Sequence, residues 1–257
     1  MLTDTHCHLG YKAMSKDVDG ILARAREAGV GRFVTIGCQK NEFDIARNLA
    51  ETKKDVFFAL GIHPHEAEKE GEEISVEELV ELSQHPKMVA LGEAGLDYFY
   101  DNAPREAQER VFRTHIRAAI ETGLPLVIHT RDAEEDTIRI LSEERKGNEG
   151  KLRGVFHCYS SNRELAEFGC EIDFYFSFSG MLTFKKSENV REVAKMVPLN
   201  RMFVETDAPY LAPEPFRGKV CEPAYVAHTA RFLADLKGID IKELEAVLEV
   251  NYQEFFG

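Results

Sequence analysis

The chain reads as an α/β protein of the (β/α)8 TIM-barrel type, and three observations lead there. Its 257 residues match the roughly 250 residues over which such barrels fold as one unit, so a single domain over 1–257 is expected. Eight short runs, apolar on both faces, alternate with longer amphipathic segments, as buried parallel strands alternate with covering helices. Polar and ionisable side chains collect at the ends of many of these runs. An open doubly wound sheet, the competing arrangement, would concentrate them at one switch point.

The first run, 2–6, carries Asp4-Thr5-His6-Cys7-His8-Leu9. On an extended strand the side-chain period is two, so His6 and His8 share a face. Their Cα atoms would stand roughly 6–7 Å apart, a span two imidazoles can bridge to hold one ion at about 2.0–2.1 Å. Residues 17–28 place Val18, Ile21, Leu22, Ala25 and Ala28 on one helical face, and Gly29 is suited to stop the helix. The runs 32–36 and 56–62 follow, the second leading into Gly61-Ile62-His63-Pro64-His65. The run 88–92 opens into Gly92-Glu93-Ala94-Gly95-Leu96-Asp97. Pro104 fits a first helical position, and Val111, Phe112, Ile116, Ala119 and Ile120 line the buried face of a helix reaching Gly123. Strands 125–129, 154–157, 173–178 and 201–205 then alternate with helices over 132–142, 162–169 and 187–196. Pro209, Pro213 and Pro215 mark a loop that neither helix nor strand could cross. Two terminal helices, 223–236 and 240–256, are separated by Gly238, with Asp240 as N-cap.

The net charge of −13 rules out a broad basic surface for wrapping duplex DNA, so any nucleic-acid contact should be small and centred on the site. No basic segment with an apolar core precedes the first strand, and the longest mostly apolar run, 56–62, is too short to span a bilayer. Five scattered cysteines, without Cys-x-x-Cys spacing, fit reduced thiols. A cytoplasmic protein with no membrane association and no obligate protein partner is expected.

Of nine histidines, His6, His8, His63, His65, His129 and His157 fall at or just past a strand's C-terminal end. A barrel gathers those ends at one mouth, where active sites of this fold sit. Glu93, Glu205 and Asp207 join the same ring. Borderline cations accept this mixture of imidazole nitrogen and carboxylate oxygen. Six ligands exceed what one tetrahedral ion needs, so two divalent cations some 3.5–4 Å apart, sharing Glu93, are expected. Their charge of +4 against −3 from the carboxylates would leave a positive site suited to a phosphodiester. Imidazole-rich ligation suits zinc or manganese, while magnesium prefers oxygen.

Asp4-Thr5-His6-Cys7-His8-Leu9, Gly61-Ile62-His63-Pro64-His65, Gly92-Glu93-Ala94-Gly95-Leu96-Asp97-Tyr98, Ile128-His129-Thr130-Arg131-Asp132-Ala133, His157-Cys158-Tyr159-Ser160 and Glu205-Thr206-Asp207-Ala208-Pro209-Tyr210 together resemble the TatD family of metal-dependent deoxyribonucleases. The likeness runs in order from residue 4 to 210. It implies a TIM barrel of the amidohydrolase type, a divalent-cation site and hydrolysis of DNA phosphodiesters. By position, it implies His6, His8, Glu93, His129, His157 and Asp207 as metal ligands, with Glu205 and His63 orienting ligands or touching substrate. Ala94, where the family often has Cys, and Tyr159-Ser160-Ser161, where it often has Phe-Ser-Gly, are departures that bear on substrate shape and leave the ligands intact.

Asp207 is the expected general base toward a water that the cations acidify, with Glu205 the second catalytic carboxylate, orienting a ligand or the water or else pairing with Arg131. Arg131 is expected either to clamp a phosphate or to pair with Asp132 or Glu205. His63 and His65 either meet substrate or cap their loop. Ser177, Ser179 and Gly180 stand where barrels often bind phosphate, although small residues there also permit packing. Cys7 and Cys158 are expected to face the core. Two other readings stay open: a C–N or lactone hydrolase of the wider amidohydrolase superfamily, and a metal-stabilised binding protein without turnover. Glu93, where many two-metal amidohydrolases carry a carboxylated lysine, speaks against the first; a base beside the ligands speaks against the second.

Overall fold

A computed structural model describes residues 1–71 and 74–257. The elements run β1 (Leu2–Cys7), α1 (Val18–Glu27), β2 (Val30–Gly37), α2 (Lys40–Thr52), β3 (Val56–Leu60), α3 (Ala67–Glu70), α4 (Val76–Leu82) and β4 (Met88–Asp97). The second half continues α5 (Arg105–Thr122), β5 (Leu126–Arg131), α6 (Glu134–Arg145), β6 (Gly154–Phe156), α7 (Arg163–Glu171), β7 (Tyr175–Phe178), α8 (Glu188–Met196), β8 (Met202–Val204), α9 (Val226–Lys237) and α10 (Ile241–Phe256).

All eight expected strands form, pair in parallel and follow sequence order around one sheet. The chain beyond β8 closes the ring against β1: Cys7 bridges Ala208, Asp207 N–H donates to the His6 carbonyl (2.9 Å) and His8 N–H to the Ala208 carbonyl (2.8 Å). Strand residues divide between two apolar layers. Phe33, Phe58, Ile128 and Phe156 pack outward against helical side chains such as Leu22, Ala46 and Phe112, while Val34, Ala59, Val127, Val155 and Phe203 fill the interior. Tyr252, Phe255 and Phe256 of α10 join the interior layer from the strands' N-terminal pole. Two residues beyond Val127, Val155 and Phe203 stand His129, His157 and Glu205, so the strand period that buries the interior also delivers these polar groups to the opposite, C-terminal mouth.

Local chemistry explains most boundaries. Gly123 and Gly238 take left-handed conformations as C-caps of α5 and α9, and Asn162 and Asp240 accept backbone N–H groups as N-caps of α7 and α10. Pro104 is the cap before α5 and lies just outside the helix. Two differences from the expected layout matter. Helix α2, not foreseen, buries only the narrow stripe Phe43, Ala46 and Ala50. Strand β4 runs to Asp97, past the expected end at 92, because Gly92 and Gly95 allow a close approach to β5. A Cβ on Gly92 would lie 2.5 Å from the Val127 carbonyl, and one on Gly95 would lie 2.0 Å from that of His129. Among the described residues no helix is long and apolar enough to cross a membrane.

Candidate metal centre

Glu93 lies at the middle of the mouth, 3% exposed, and its two oxygens face different imidazoles. Oε1 stands 2.7 Å from His157 Nε2, 2.8 Å from His129 Nδ1 and 3.4 Å from His63 Nε2. Oε2 stands 3.3 Å from His6 Nε2. On the β8 side, Asp207 Oδ1 lies 3.3 Å from His8 Nε2 and 3.8 Å from His6 Nε2. The six residues that the sequence singles out as ligands therefore meet in one hollow, although they come from five strand ends.

Four triads in this hollow offer donor atoms within 4.8 Å of one another: His6, Glu93 and His157; His6, His8 and Asp207; His8, Cys38 and Glu93; and His63, Glu93 and His129. The donor set fits divalent cations on a further ground. Among the described residues both ring nitrogens of the fully buried His6 lack a hydrogen-bond partner, with Glu93 Oε2 3.3 Å from Nε2. Orphaned polar atoms in a dry interior cost about 1–3 kcal/mol each, and a cation would satisfy them.

The groups behind the ring set which nitrogen of each imidazole faces inward. His129 Nε2 is held by Asp97 Oδ2 at 3.0 Å, leaving Nδ1 toward Glu93. His157 Nδ1 is held by Glu205 Oε1 at 3.2 Å, leaving Nε2 toward Glu93. Carboxylates placed this way orient a ligating imidazole and raise its basicity. Glu205 is fully buried and faces the hollow through His157. His63 caps its loop: its Nδ1 accepts the His65 backbone N–H at 3.1 Å, which puts the proton of the neutral ring on Nε2, facing Glu93. His65 pairs with Asp97 Oδ2 at 3.1 Å.

Protonation follows from these contacts. Burial alone would raise the Glu93 carboxyl, but His157, His63 and the hydrogen bonds from His129 and His157 hold it well below the usual carboxylate range. Burial would lower His157, yet Glu93 and Glu205 on its two nitrogens push it well above an ordinary histidine. His129 is raised by Asp97 and Glu93 against burial. His6 is lowered by burial and by the neighbouring His157, and burial takes His63 down to about 4. The His8 hydrogen bond and the His6 charge outweigh burial to lower Asp207.

Arg131 departs from both expected ion pairs. Among the described residues it bridges neither Asp132 nor Glu205; its guanidinium lies 3.9 Å over the Phe99 ring and 4.7 Å over Tyr100. Ser177 and Ser179 serve packing and capping, through Thr5 and the Met181 N–H. Cys7 is in the core as expected, while Cys158 is half-buried against Ser179.

Three contributors escaped the sequence reading. Asp4, fully buried, accepts the Thr206 backbone N–H (2.9 Å) and hydroxyl (2.6 Å), tying the Glu205–Asp207 segment to β1; burial pushes its carboxyl up to about 8. Positions 4, 6 and 8 share a strand period, a signal that was available. Asp97 sits two periods beyond Glu93, an equally readable spacing. Cys38, with Sγ 3.5 Å from Glu93 Oε2 and 4.0 Å from His8 Nδ1, had no such signal.

A barrel whose mouth collects imidazoles around a shared carboxylate, two of them, His129 and His157, backed by further carboxylates, defines a metal-dependent hydrolase. Comparison with known proteins narrows the class. The family model for TatD related DNase matches residues 3–257. The chain is 39% identical over 256 residues to the uncharacterized metal-dependent hydrolase YabD of Bacillus subtilis, covering 100% of this chain and 99% of that one. It is 32% identical over 260 residues to the 3'-5' ssDNA/RNA exonuclease TatD of Escherichia fergusonii, covering 99% and 98%. The crystal structure of the TatD homologue YJJV from Escherichia coli superposes with a TM-score of 0.89 at 28% identity, covering 99% and 97%. The chain belongs to the TatD-related family of metal-dependent hydrolases.

Proposed function

We propose that this protein hydrolyses phosphodiester bonds of nucleic acid, and that His6, His8, Glu93, His129, His157 and Asp207 would hold two divalent cations for that reaction. The observation that carries the reading is the division of the Glu93 carboxylate: Oε2 toward His6, beside His8 and Asp207, and Oε1 toward His129 and His157. Each half offers nitrogen and oxygen donors to one ion, and Glu93 is common to both. Bound cations would acidify water and offset phosphate charge.

The chain's own residues perform the rest. Asp207, 15% exposed at its side chain, is the acidic group of the set that meets solvent, and with its lowered pKa it is ionised and able to take a proton from an attacking water. Asp97 and Glu205 keep His129 and His157 turned inward, and His63 Nε2 faces Glu93 Oε1 at 3.4 Å beside them. Arg131 supplies positive charge at the rim for the phosphate backbone. The single-stranded DNA and RNA activity of the Escherichia fergusonii relative supports nucleic acid as the substrate.

The test is hydrolysis of 5'-labelled single-stranded DNA, single-stranded RNA and duplex DNA by protein loaded in turn with zinc, manganese or magnesium, with bound metal quantified and a cyclic amide run in parallel. Shortening of the labelled strands, lost on chelation and restored by metal, is expected. Turnover of the cyclic amide alone would favour the C–N hydrolase reading, and metal uptake with no turnover of any substrate would favour a binding protein.

A further inference from the structure

The sequence contains 17 phenylalanines and 8 tyrosines, and nearly all the described ones are at least partly buried. Phe99, Tyr100 and Tyr210 are the exposed exceptions, at 55%, 53% and 53%. All three stand at the mouth. Phe99 and Tyr100 follow β4, and Tyr210 follows the end of β8. Tyr100 contacts His65, which puts the first pair on the His63–His65 side of the candidate metal centre, whereas Tyr210, past the Ala208 bridge to Cys7 on β1, lies on the His8 side.

Ring contacts carry each wall into the centre. Tyr100 stands 5.3 Å edge-on to His65, which neighbours His63 at 4.4 Å. On the other wall Tyr210 lies 6.3 Å from Tyr11, and Tyr11 stacks at 4.4 Å on His8. The first wall is also held in place. Asp97 Oδ1 accepts the backbone N–H groups of Phe99 (3.1 Å) and Tyr100 (3.0 Å), while its Oδ2 holds His129. The carboxylate that orients an expected ligand thus also anchors the aromatic loop. Arg131, stacked on both rings, adds a cation to the same face.

We propose that these two walls form a nucleobase-stacking site, in which Phe99 and Tyr100 with Arg131 on one side, and Tyr210 with Tyr11 on the other, hold unstacked bases flanking the scissile phosphate. This rests on the phosphodiesterase reading above. The occupant is single-stranded nucleic acid, because bases within a duplex are already stacked on each other and present no free faces. Charge supports the choice. A net charge of −13 disfavours long-range attraction of a phosphate backbone, so contacts to the bases would add affinity that charge does not supply. Stacking on aromatic rings is sequence-tolerant and works on any base.

The experiment is fluorescence anisotropy of manganese-loaded protein with a 5'-labelled eight-thymidine strand carrying phosphorothioate linkages, against the same strand with abasic residues in place of the thymidines. The abasic strand should bind about tenfold to a hundredfold more weakly. F99A/Y100A should weaken the thymidine strand by a similar factor and leave the abasic strand unchanged. F99L/Y100L, which keeps apolar area without a ring face, should fall with the alanine variant, and Y210A should show the same base-dependent loss. Binding should weaken little between 50 and 200 mM salt. Equal affinity for the two strands, no saturable binding, or undiminished thymidine binding by F99A/Y100A would overturn the proposal. Cleavage of the unmodified strand, followed separately, distinguishes the two claims. Base-dependent binding without cleavage would remove the phosphodiesterase reading and keep the stacking site; cleavage with base-independent binding would do the reverse.

Discussion

Replacing Glu205 by glutamine changes one buried charge and almost no volume, and its consequence can be worked from two distances. Glu205 Oε1 stands 3.2 Å from His157 Nδ1, and Glu93 Oε1 stands 2.7 Å from His157 Nε2. Without metal, both ring nitrogens face carboxylates, so His157 holds two protons and its pKa lies well above that of an ordinary histidine. Metal must displace the Nε2 proton, so affinity should rise with pH, approaching tenfold per unit below the His157 pKa. At 3.2 Å and an effective dielectric of about 20, the Glu205–imidazolium attraction is about 5 kcal/mol before desolvation is subtracted. What survives in measured affinities for such orienting partners is about 10- to 100-fold, or roughly 1.4–2.7 kcal/mol. Glu205→Gln should therefore weaken metal binding by that factor at pH 8. Because the charge that favours metal also favours the competing proton, the deficit should shrink toward pH 6. Calorimetric zinc or manganese titrations at both pH values, with folding checked by circular dichroism, read the two effects. Unchanged affinity at pH 8, or a deficit that grows as pH falls, would refute this account of Glu205.

Asp207→Ala should reduce hydrolysis by at least about 10²–10⁴-fold, the range for losing a general base, with secondary structure intact; wild-type rates with confirmed metal content would remove Asp207 from the mechanism. Gly92→Ala should lower stability by about 1–3 kcal/mol or more, since Gly92 sits at φ +122 with the Val127 carbonyl 2.5 Å from an added Cβ; a melting temperature within a degree of wild type would contradict it. Asp4 has a folded-state pKa raised by burial to about 8, so its effect on stability is most favourable below the unfolded value near 4 and is lost as pH rises toward 8. Asp4→Asn should accordingly gain on wild type with increasing pH, by up to about 1.4 kcal/mol per unit within that window; parallel stability curves for the two metal-free proteins would show that Asp4 does not titrate as described.

Much of this architecture is legible in the chain. The eight apolar runs appear as strands because burial on both faces leaves no alternation, the buried faces of α1 and α5 follow from apolar residues at helical spacing, and α9 and α10 follow from the Gly238 break and the Asp240 cap. Histidines and carboxylates at strand ends disclose the site because a barrel has only one mouth to which all C-terminal ends point. Less legible was α2, whose buried stripe consists of one phenylalanine and two alanines. The length of β4 was hidden too, since Gly92 and Gly95 look like strand breakers until their approach to β5 is known.

Periodicity within a segment determined by itself which elements form and which side chains are delivered to a common face. Which nitrogen of which histidine looks inward was decided only by tertiary structure. Asp97 reaches His129 across 32 residues, Glu205 reaches His157 across 48, and Asp4 reaches Thr206 across 202. The physical reason is range. Side-chain alternation is a property of neighbouring backbone units, whereas these pairings exist only once the ring of strands has closed and brought distant ends within hydrogen-bond distance. Arg131 shows the same limit, since its nearest opposite charges in sequence told nothing of the two exposed rings on which it rests.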